Sequence, residues 1–252
     1  MELNRADLTR DSFLGKAVQV LQPKKGYRAG IDSVLLAAAA PARSGQSVLE
    51  LGCGSGVVCI CLARRVGGLT FAGLELQEAY ADLARKNSRI NAFEFEVLEG
   101  DVSDPPKEIR ARQFDHVLAN PPYFRRGSGS GSSDTGRERS NMESTPLTDW
   151  INCAVKRLKP SGCFTMINRA ERLDEILVSF EGRGCSLEVK PVYSRANAPC
   201  IRVIIRARKN RRDDFRLAAP LVLFSDPSKP GDSPKYSARV DRLLRTPIPL
   251  EF

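Results

Sequence analysis

The chain of 252 residues has few of the residue types on which metal sites and disulfide frameworks depend. It contains one histidine, His116, and its seven cysteines follow no regular spacing. Zinc ligands at a familiar spacing cannot be assembled from this set, so we expect no metal. Cys53, Cys59 and Cys61 fall within a core-like segment, which predicts buried and reduced thiols.

Long apolar segments are absent as well. No run of about 18 apolar residues occurs, which argues against a membrane-spanning helix. The first 22 residues lack the positive segment followed by an apolar one that is typical of a signal peptide. We therefore expect a soluble, cytoplasmic protein without a membrane partner.

Positive charge is what the sequence has in excess. The formal net charge of +9 favours a polyanionic partner such as nucleic acid, although a solvated basic surface explains it equally well. One basic cluster spans 202–216, with seven basic residues against two acidic ones, and another flanks the glycine-serine run 127–133. Charge on an edge strand is the alternative for the first cluster. The candidate nucleic-acid contacts are Arg125, Arg126, Arg137, Arg139, Arg206, Arg208, Lys209, Arg211 and Arg212.

Apolar runs alternate with helical patterns from Ser47 to Gly184. This alternation predicts an α/β fold with a parallel, doubly wound sheet and helices on both faces. A helical pattern over 146–160 is expected to end at Pro160, with a strand over 162–168 after it. The segments 185–194 and 200–209 are separated by a short polar turn, so they predict an antiparallel hairpin at the sheet edge.

A glycine-rich turn, "LELGCGSG", follows the first strand of this series. Gly52, Gly54 and Gly56 allow a nucleoside-type ligand to approach the backbone more closely than a Cβ would permit. Val57 stands where a dinucleotide-binding fold prefers glycine, which weakens that interpretation. Glu50, just before the turn, would repel a pyrophosphate but favour a cationic ligand such as S-adenosylmethionine, which carries a sulfonium and an α-amino group.

Two further acids follow at the ends of the next strands. Glu75 comes 19 residues after Gly56, where a carboxylate can accept hydrogen bonds from ribose hydroxyls. Asp101 ends the third strand and can accept from the exocyclic amine of an adenine. Each acid alone is explained as well by a helix cap or a surface position. With Glu50 they place three acids at successive strand ends, where open parallel sheets bind ligands.

The motif "NPPY" ends the fourth strand. With "LELGCGSG" it makes the chain resemble class I S-adenosylmethionine-dependent methyltransferases, from Gly26 to about Arg208. The resemblance implies a Rossmann-like, mostly parallel seven-stranded sheet with an antiparallel C-terminal hairpin. In that family the motif marks methyl transfer to a planar nitrogen, usually the exocyclic amine of adenine or a glutamine amide.

The residues of the motif suit this chemistry. A conjugated amine is a poor nucleophile, so the site must accept its N–H hydrogen bonds and draw its lone pair out of conjugation. Asn120 offers a side-chain carbonyl, the adjacent backbone offers another, and Pro121 and Pro122 hold that backbone rigid. Tyr123 can stack an extruded base. These four residues are the candidate catalytic residues, and an ordinary strand-ending turn is the alternative.

The segment 26–40, "GYRAGIDSVLLAAAA", resembles the part of related enzymes that closes over the methionine end of the cofactor. Asp32 is explained equally well as a first-turn acid of the helix that follows. The full set of candidate cofactor contacts is Tyr27, Arg28, Asp32, Ser33, Glu50, Gly52, Cys53, Gly54, Gly56, Glu75, Leu76, Asp101, Val102 and Asn120.

The segments before and after the motifs reduce the number of substrate classes to consider. No helical domain of the release-factor enzymes precedes the motifs, and no target-recognition domain of the DNA enzymes follows them. The chain most resembles the bacterial tRNA1(Val) (adenine-N6)-methyltransferases, which implies an adenosine N6 in RNA, with tRNA favoured. Protein-glutamine N5 transfer, rRNA guanine-N2 transfer and a non-catalytic RNA-binding module stay open.

The organisation expected is a single methyltransferase domain over 1–252. Residues 1–45 form the segment that closes over the cofactor, 46–208 the catalytic core, and 209–252 a basic, Pro/Gly-rich extension. Within the core, 125–140 is expected to act as an arginine-flanked flap that orders when RNA arrives.

Overall fold

A nine-stranded sheet forms the centre of the structure, a computed structural model that describes residues 5–125, 142–143, 145–211, 213–225 and 235–252. The strands are β1 (Leu8–Phe13), β2 (Val18–Pro23), β3 (Ser47–Leu51), β4 (Thr70–Glu75), β5 (Glu96–Glu99), β6 (Phe114–Ala119), β7 (Phe124–Arg125), β8 (Met142–Glu143), β9 (Leu158–Arg169), β10 (Cys185–Tyr193), β11 (Cys200–Lys209), β12 (Arg216–Leu217) and β13 (Leu221–Val222). The helices are α1 (Ile31–Ala39), α2 (Val57–Arg65), α3 (Glu78–Ile90), α4 (Lys107–Arg110), α5 (Leu147–Arg157), α6 (Leu173–Ser179) and α7 (Ala238–Arg245).

The order of the long strands across the sheet is β5-β4-β3-β6-β9-β11-β10. Strands β3, β4, β5, β6 and β9 run parallel, and β11 is antiparallel to both of its neighbours. The predicted α/β fold is therefore confirmed, with its mostly parallel seven-stranded sheet and its C-terminal hairpin. Two short strands, β12 and β13, add to the outer side of β10.

Helices cover both faces of the sheet, as predicted. Successive side chains of a strand point to opposite faces, so Val48 and Leu49 enter different cores. Helices α1, α2, α3 and α7 contribute to the core that contains Val48, and α4, α5 and α6 to the one that contains Leu49. Burial on both faces is why these strands read as continuous apolar runs rather than as alternating patterns.

The junction between α5 and β9 differs from the prediction. The helix ends at Arg157 rather than at Pro160, and the strand begins at Leu158. The register of β9 against β6 shifts between the pairs Phe114–Leu158 and His116–Cys163, so Pro160 lies in an irregular part of the strand. Proline is tolerated at such a bulge because no ladder hydrogen bond is required from it there.

An N-terminal hairpin, β1–β2, was not expected from the sequence. Asn87 on α3 accepts from the Leu21 N–H at 2.7 Å and donates to the Leu21 carbonyl at 3.0 Å. One turn later, Asn91 does the same with Gln19, at 3.1 and 2.7 Å. Two side-chain amides thus take the place of a neighbouring strand beside β2. Asn87 also donates to the Ser55 carbonyl at 2.9 Å, which connects the hairpin to the glycine-rich turn.

The C-terminal extension packs back on the core where it is described. Helix α7 buries Val240 and Leu243 in the core that α1 shares, and the Leu250 N–H donates to the Ala38 carbonyl at 2.8 Å.

All seven cysteines are free, and five of them are buried. In the described parts of the chain, no helix is long and apolar enough to cross a membrane.

Replacing Asn87 by leucine tests the hairpin contact. The side chain is fully buried, so the change leaves the Leu21 N–H and two carbonyls without partners. We expect a loss of stability of roughly 1–3 kcal/mol for each buried group left unpaired, measured by urea unfolding. Asn91→Leu, at a less buried position, should cost less; equal losses would contradict this account.

Candidate active site

The predicted site residues converge at the carboxyl ends of the parallel strands. Glu50 lies in β3, the glycine-rich turn follows β3, Glu75 ends β4, and Asn120 follows β6. Because β3 pairs in parallel with both β4 and β6, these strand ends meet at one edge of the sheet.

The glycine-rich turn is packed from two sides. Gly52, Gly54 and Gly56 have φ values of +62°, +52° and +81°, a region that favours glycine. A Cβ on Gly52 would lie 2.6 Å from the Trp150 ring, and one on Gly54 would lie 3.5 Å from the Tyr27 ring. The turn therefore lies between the two rings, and the missing side chains let both rings pack against its backbone.

Glu75 is held in place before any ligand binds. It is 7% exposed, and its two oxygens accept from the Gly54 N–H at 2.8 Å and the Gln77 N–H at 3.0 Å. Burial raises the pKa of its carboxyl group. The next residue, Leu76, is 57% exposed, so an apolar side chain stands open beside a fixed carboxylate. In this arrangement the carboxylate could accept hydrogen bonds from a ribose, and the apolar side chain could pack against a flat base.

Asp101 and Val102 follow β5 at the same edge. The Oδ1 atom of Asp101 accepts from the backbone N–H and the hydroxyl of Ser103, both at 2.8 Å, so the side chain closes its own turn. Val102 is buried in the core beneath it.

Glu50 is the most deeply buried acid of the site, at 2% exposure. Its Oε2 accepts from the Cys59 N–H at 3.2 Å in the first turn of α2, so the helix-capping alternative holds for one of its oxygens. Burial raises the pKa of its carboxyl group from 4.5 to about 8, and no basic side chain of the described residues offsets this. A buried carboxylate is costly without a counter-charge, and a cation bound at the glycine-rich turn would supply one.

Tyr27 connects the N-terminal segment to the motif at the end of β6. Its hydroxyl accepts from the Asn120 Nδ2 at 3.2 Å, and its carbonyl accepts from the Tyr80 hydroxyl at 3.0 Å. Ser33, buried in α1, hydrogen-bonds to the Tyr27 side chain. Burial raises the pKa of the Tyr27 phenol, which stays neutral.

The side chain of Arg28 has several hydrogen-bond partners. Its guanidinium pairs with Asp11 at 2.5 Å and donates to Thr9 at 2.8 Å and to the Pro23 carbonyl at 2.6 Å. These contacts bind it to the β1–β2 hairpin, and the cofactor contact of Arg28 stays a prediction. Asp32 also faces another partner, because its carboxylate accepts from the Tyr123 hydroxyl at 2.5 Å.

The Tyr123 hydroxyl lies within reach of two acceptors. It is 2.5 Å from Asp32 Oδ2 and 2.8 Å from Asn120 Oδ1, yet it has one proton to donate. Charge-assisted hydrogen bonds are the stronger kind, so the proton goes to Asp32. Burial and the charge of Asp32 hold the pKa of the phenol well above its usual range. The Asn120 carbonyl is thereby left to accept a hydrogen bond from another donor.

The two prolines of the motif are also fixed. Pro121 is buried, and the Pro122 carbonyl accepts from the buried Arg172 guanidinium at 3.4 Å. Arg172 pairs in addition with Glu175 at 2.9 Å.

The hairpin register separates most of the predicted basic cluster from this edge. Arg202 pairs with Arg169 near the site, whereas Arg208 pairs with Cys163 in the middle of β9. Six residues of strand correspond to about 20 Å. The nucleic-acid contacts predicted for Arg208 and the residues after it would therefore lie away from the site edge.

Two members of that cluster are used inside the protein. Arg206 donates to the Ala39 carbonyl at 2.8 Å, and Lys209 donates to the Val155 and Leu158 carbonyls at 2.8 and 2.9 Å. Both satisfy carbonyls at helix ends, which argues against phosphate contacts. Arg211 is exposed and pairs with Asp213 at 3.1 Å. Arg126, Arg137, Arg139, Arg212, the Arg125 side chain and most of the predicted flap lie outside the described residues.

Strands β7 and β8 bracket that flap. They pair in parallel, Phe124 with Met142 and Arg125 with Glu143. The chain therefore leaves the "NPPY" motif and returns at one place beside the site.

Two arginines that no motif indicates lie at this edge. Arg202 pairs with Asp32 at 3.2 Å, and Arg172 holds Pro122 as described above. Asp32 and Pro122 are distant from these arginines in the sequence, so no local spacing could have indicated the two contacts.

The match to a family model decides the class of protein. The model of the methyltransferase small domain matches residues 28–179, more than half of the chain. The chain belongs to the methyltransferase small domain family. The predicted enzyme class, a class I S-adenosylmethionine-dependent methyltransferase, is thereby confirmed.

Curated relatives agree with the more specific resemblance. A tRNA1(Val) (adenine(37)-N6)-methyltransferase of Dickeya chrysanthemi is 26% identical over 94% of this chain and 94% of its own. One of Porphyromonas gingivalis is 32% identical over 66% of this chain and 68% of its own. A solved structure of a predicted O-methyltransferase from Agrobacterium tumefaciens aligns with a TM-score of 0.69 and 24% identity, over 87% of this chain and 98% of that one, which shows the shared fold.

In the part of the chain that the structure describes, the methyltransferase site has no group of three His, Cys, Asp or Glu side chains that could hold a metal ion. What it has is the buried Glu50 beside a glycine-lined turn, an arrangement that fits a cationic nucleoside.

The stability of the ligand-free enzyme should depend on pH through Glu50. Between pH 4.5 and about 8 the folded carboxyl keeps a proton that the unfolded one has lost, so the free energy of unfolding falls as pH rises across this window. Glu50→Gln should remove that part of the slope in denaturant titrations at several pH values. Glu78→Gln, at an exposed position, should keep the wild-type slope; a slope unchanged in Glu50→Gln would contradict this assignment.

Proposed function

We propose that this enzyme transfers a methyl group from S-adenosylmethionine to the N6 atom of an adenosine in RNA. A tRNA is the favoured substrate, specifically a valine tRNA at adenine 37, as in the names of the relatives. The observation that carries the proposal is the free acceptor capacity of Asn120 beside the Tyr123 ring.

The cofactor would be held by residues that are already in place. Glu50 would face the positive charge of the methionine part, and the glycine-rich turn would bring its backbone close to the nucleoside. Glu75 would accept from the ribose hydroxyls, with Leu76 against the base and Asp101 near its amine. When bound, S-adenosylmethionine supplies an electrophilic methyl group on a sulfonium.

The acceptor amine would be bound by the motif itself. Asn120 Oδ1 and the Pro121 carbonyl would each accept one N–H of the amine, which draws its lone pair out of conjugation. The adenine would stack on the Tyr123 ring, a contact of typically about 1–3 kcal/mol. No strong base is required, because the methylated ammonium is acidic and loses its proton after transfer.

An RNA partner also agrees with the net charge of +9. The basic side chains that contact it are to be sought near the site edge and among 125–140, rather than at the far end of the hairpin. Such contacts position a substrate without specifying its sequence. Acting on tRNA, the enzyme would work in the cytoplasm.

Asn120→Ala tests the assigned role. Loss of the accepting carbonyl should lower kcat by at least about 100-fold, in the range found when one stabilising polar group is removed from an active site. Cofactor affinity, measured by calorimetry, should stay within about threefold, a change under 1 kcal/mol. Asn120→Asp keeps an acceptor oxygen and should retain measurable turnover. Full activity in Asn120→Ala would exclude the mechanism.

The substrate is identified by labelling. The enzyme is incubated with methyl-labelled cofactor and with separated cellular RNA and protein, and the labelled product is hydrolysed and identified. We expect N6-methyladenosine from the tRNA fraction, with a rate that falls steeply as salt is raised. Label confined to protein glutamine, or to the N2 atom of guanine, would show that the acceptor is wrong.

A further inference from the structure

Arg202 forms a closed arrangement with the reacting motif. Its Nε lies 3.2 Å from Asp32 Oδ2, the same oxygen that accepts the Tyr123 hydroxyl at 2.5 Å. Its guanidinium carbon lies 4.6 Å from the centroid of the Tyr123 ring. Each of the three side chains therefore contacts the other two.

The three side chains come from separate parts of the fold. Arg202 lies in β11, Asp32 in the first turn of α1, and Tyr123 after β6. Strand β9 separates β6 from β11 in the sheet, so the arginine reaches across it at the site edge. The contact joins the N-terminal segment, the motif and the hairpin.

The arrangement is more than a surface ion pair. The side chains of Arg202 and Asp32 are 25% and 18% exposed, so water screens them only in part. A guanidinium is planar and weakly hydrated, so it can stack on an aromatic ring and donate in its own plane at the same time. A lysine ammonium could replace the charge but not the stacking.

We propose that Arg202 is a positioning residue for methyl transfer. It covers one face of the Tyr123 ring and keeps the phenol proton on Asp32, so that the other ring face and Asn120 Oδ1 are presented to the acceptor. The nature of that acceptor rests on the function proposed above, whereas the arrangement of the three side chains does not.

The Tyr123 hydroxyl has a single proton, so the arrangement decides which acceptor it binds. Asp32 competes with Asn120 for that proton, and the paired guanidinium holds the carboxylate where it wins. When Arg202 or the charge of Asp32 is removed, the phenol turns to Asn120 Oδ1 and takes one of the two acceptor positions of the atom that must bind the amine. The loss should therefore appear in turnover of the acceptor and not in cofactor binding.

The matched control is another arginine with the same kinds of contact. Arg112 lies 5.1 Å above the Phe114 ring and pairs with Glu96 at 2.6 Å. Phe114 begins β6 and Asn120 follows its end, so this group lies at the opposite end of the strand from the site. Arg112→Ala removes a stacked ion pair without touching the motif.

The test compares Arg202→Ala, Arg202→Lys, Asp32→Asn and Arg112→Ala, with an unmodified valine tRNA transcript as acceptor. We expect Arg202→Ala and Asp32→Asn to lower kcat/KM for the RNA about 10- to 100-fold, the scale of a small misplacement at a reacting centre. Arg202→Lys should recover part of this loss. Arg112→Ala should stay within about twofold, and the KM for cofactor within about threefold in all four, both small on the scale where 1.4 kcal/mol is tenfold.

A second measurement reads the Tyr123 ring directly. The chain has five tyrosines, so ring-labelled tyrosine gives few NMR signals, and that of Tyr123 is the one lost in Tyr123→Phe. It should move in Arg202→Ala and Asp32→Asn and stay in place in Arg112→Ala. This readout needs no acceptor.

The outcomes separate the two proposals. If the wild type methylates protein instead of RNA, the proposed function fails, and a selective loss in Arg202→Ala on that acceptor still supports the positioning role. An unmoved Tyr123 signal would overturn it. So would a loss of kcat/KM that matches Arg112→Ala, or one that is accompanied by an equal loss of cofactor affinity.

Discussion

The parallel pairing of β3 with β4 and β6 is the constraint on which the site depends. It brings the glycine-rich turn, Glu75 and Asn120 to one edge of the sheet, although they are far apart in the sequence. Both faces of these strands are buried, so polar groups are confined to their ends. The chemistry is therefore placed by the sheet, and the helices on either side fix its geometry.

Burial of charge decides how the acids at this edge behave. Glu50 and Glu75 are both buried, and in both the loss of hydration outweighs the backbone hydrogen bonds that favour the charged form. Glu75 has more such bonds than Glu50, which accepts from the Cys59 N–H alone among backbone groups, so Glu50 has more to gain from a cation. A ligand with positive charge would recover part of the energy that folding spends there.

The sequence was sufficient for the fold and for the placement of the motifs at strand ends, because both depend on local patterns. Alternating strand and helix patterns, the spacing of Gly52, Gly54 and Gly56, and "NPPY" are read over short windows. The β1–β2 hairpin was not predicted because it is held by a helix. The contacts are made by Asn87 and Asn91, which look like ordinary polar positions in the sequence. The ion pair of Arg28 was not expected for the same reason, since its partner Asp11 lies outside any motif.

The basic cluster of β11 shows that basic residues in a sequence do not all contribute positive charge to the protein surface. Arg202 and Arg206 are four residues apart, about 13 Å along a strand, and Asp32 and Ala39 are seven apart, about 10 Å along a helix. The two arginines therefore reach the two ends of α1, one through a carboxylate and the other through a carbonyl. Because α1 carries Asp32 and Ser33, this contact transmits the position of the hairpin to Tyr123 and Tyr27. Part of the positive charge thus orders the site from within, and the charge available for RNA is smaller than the net value implies.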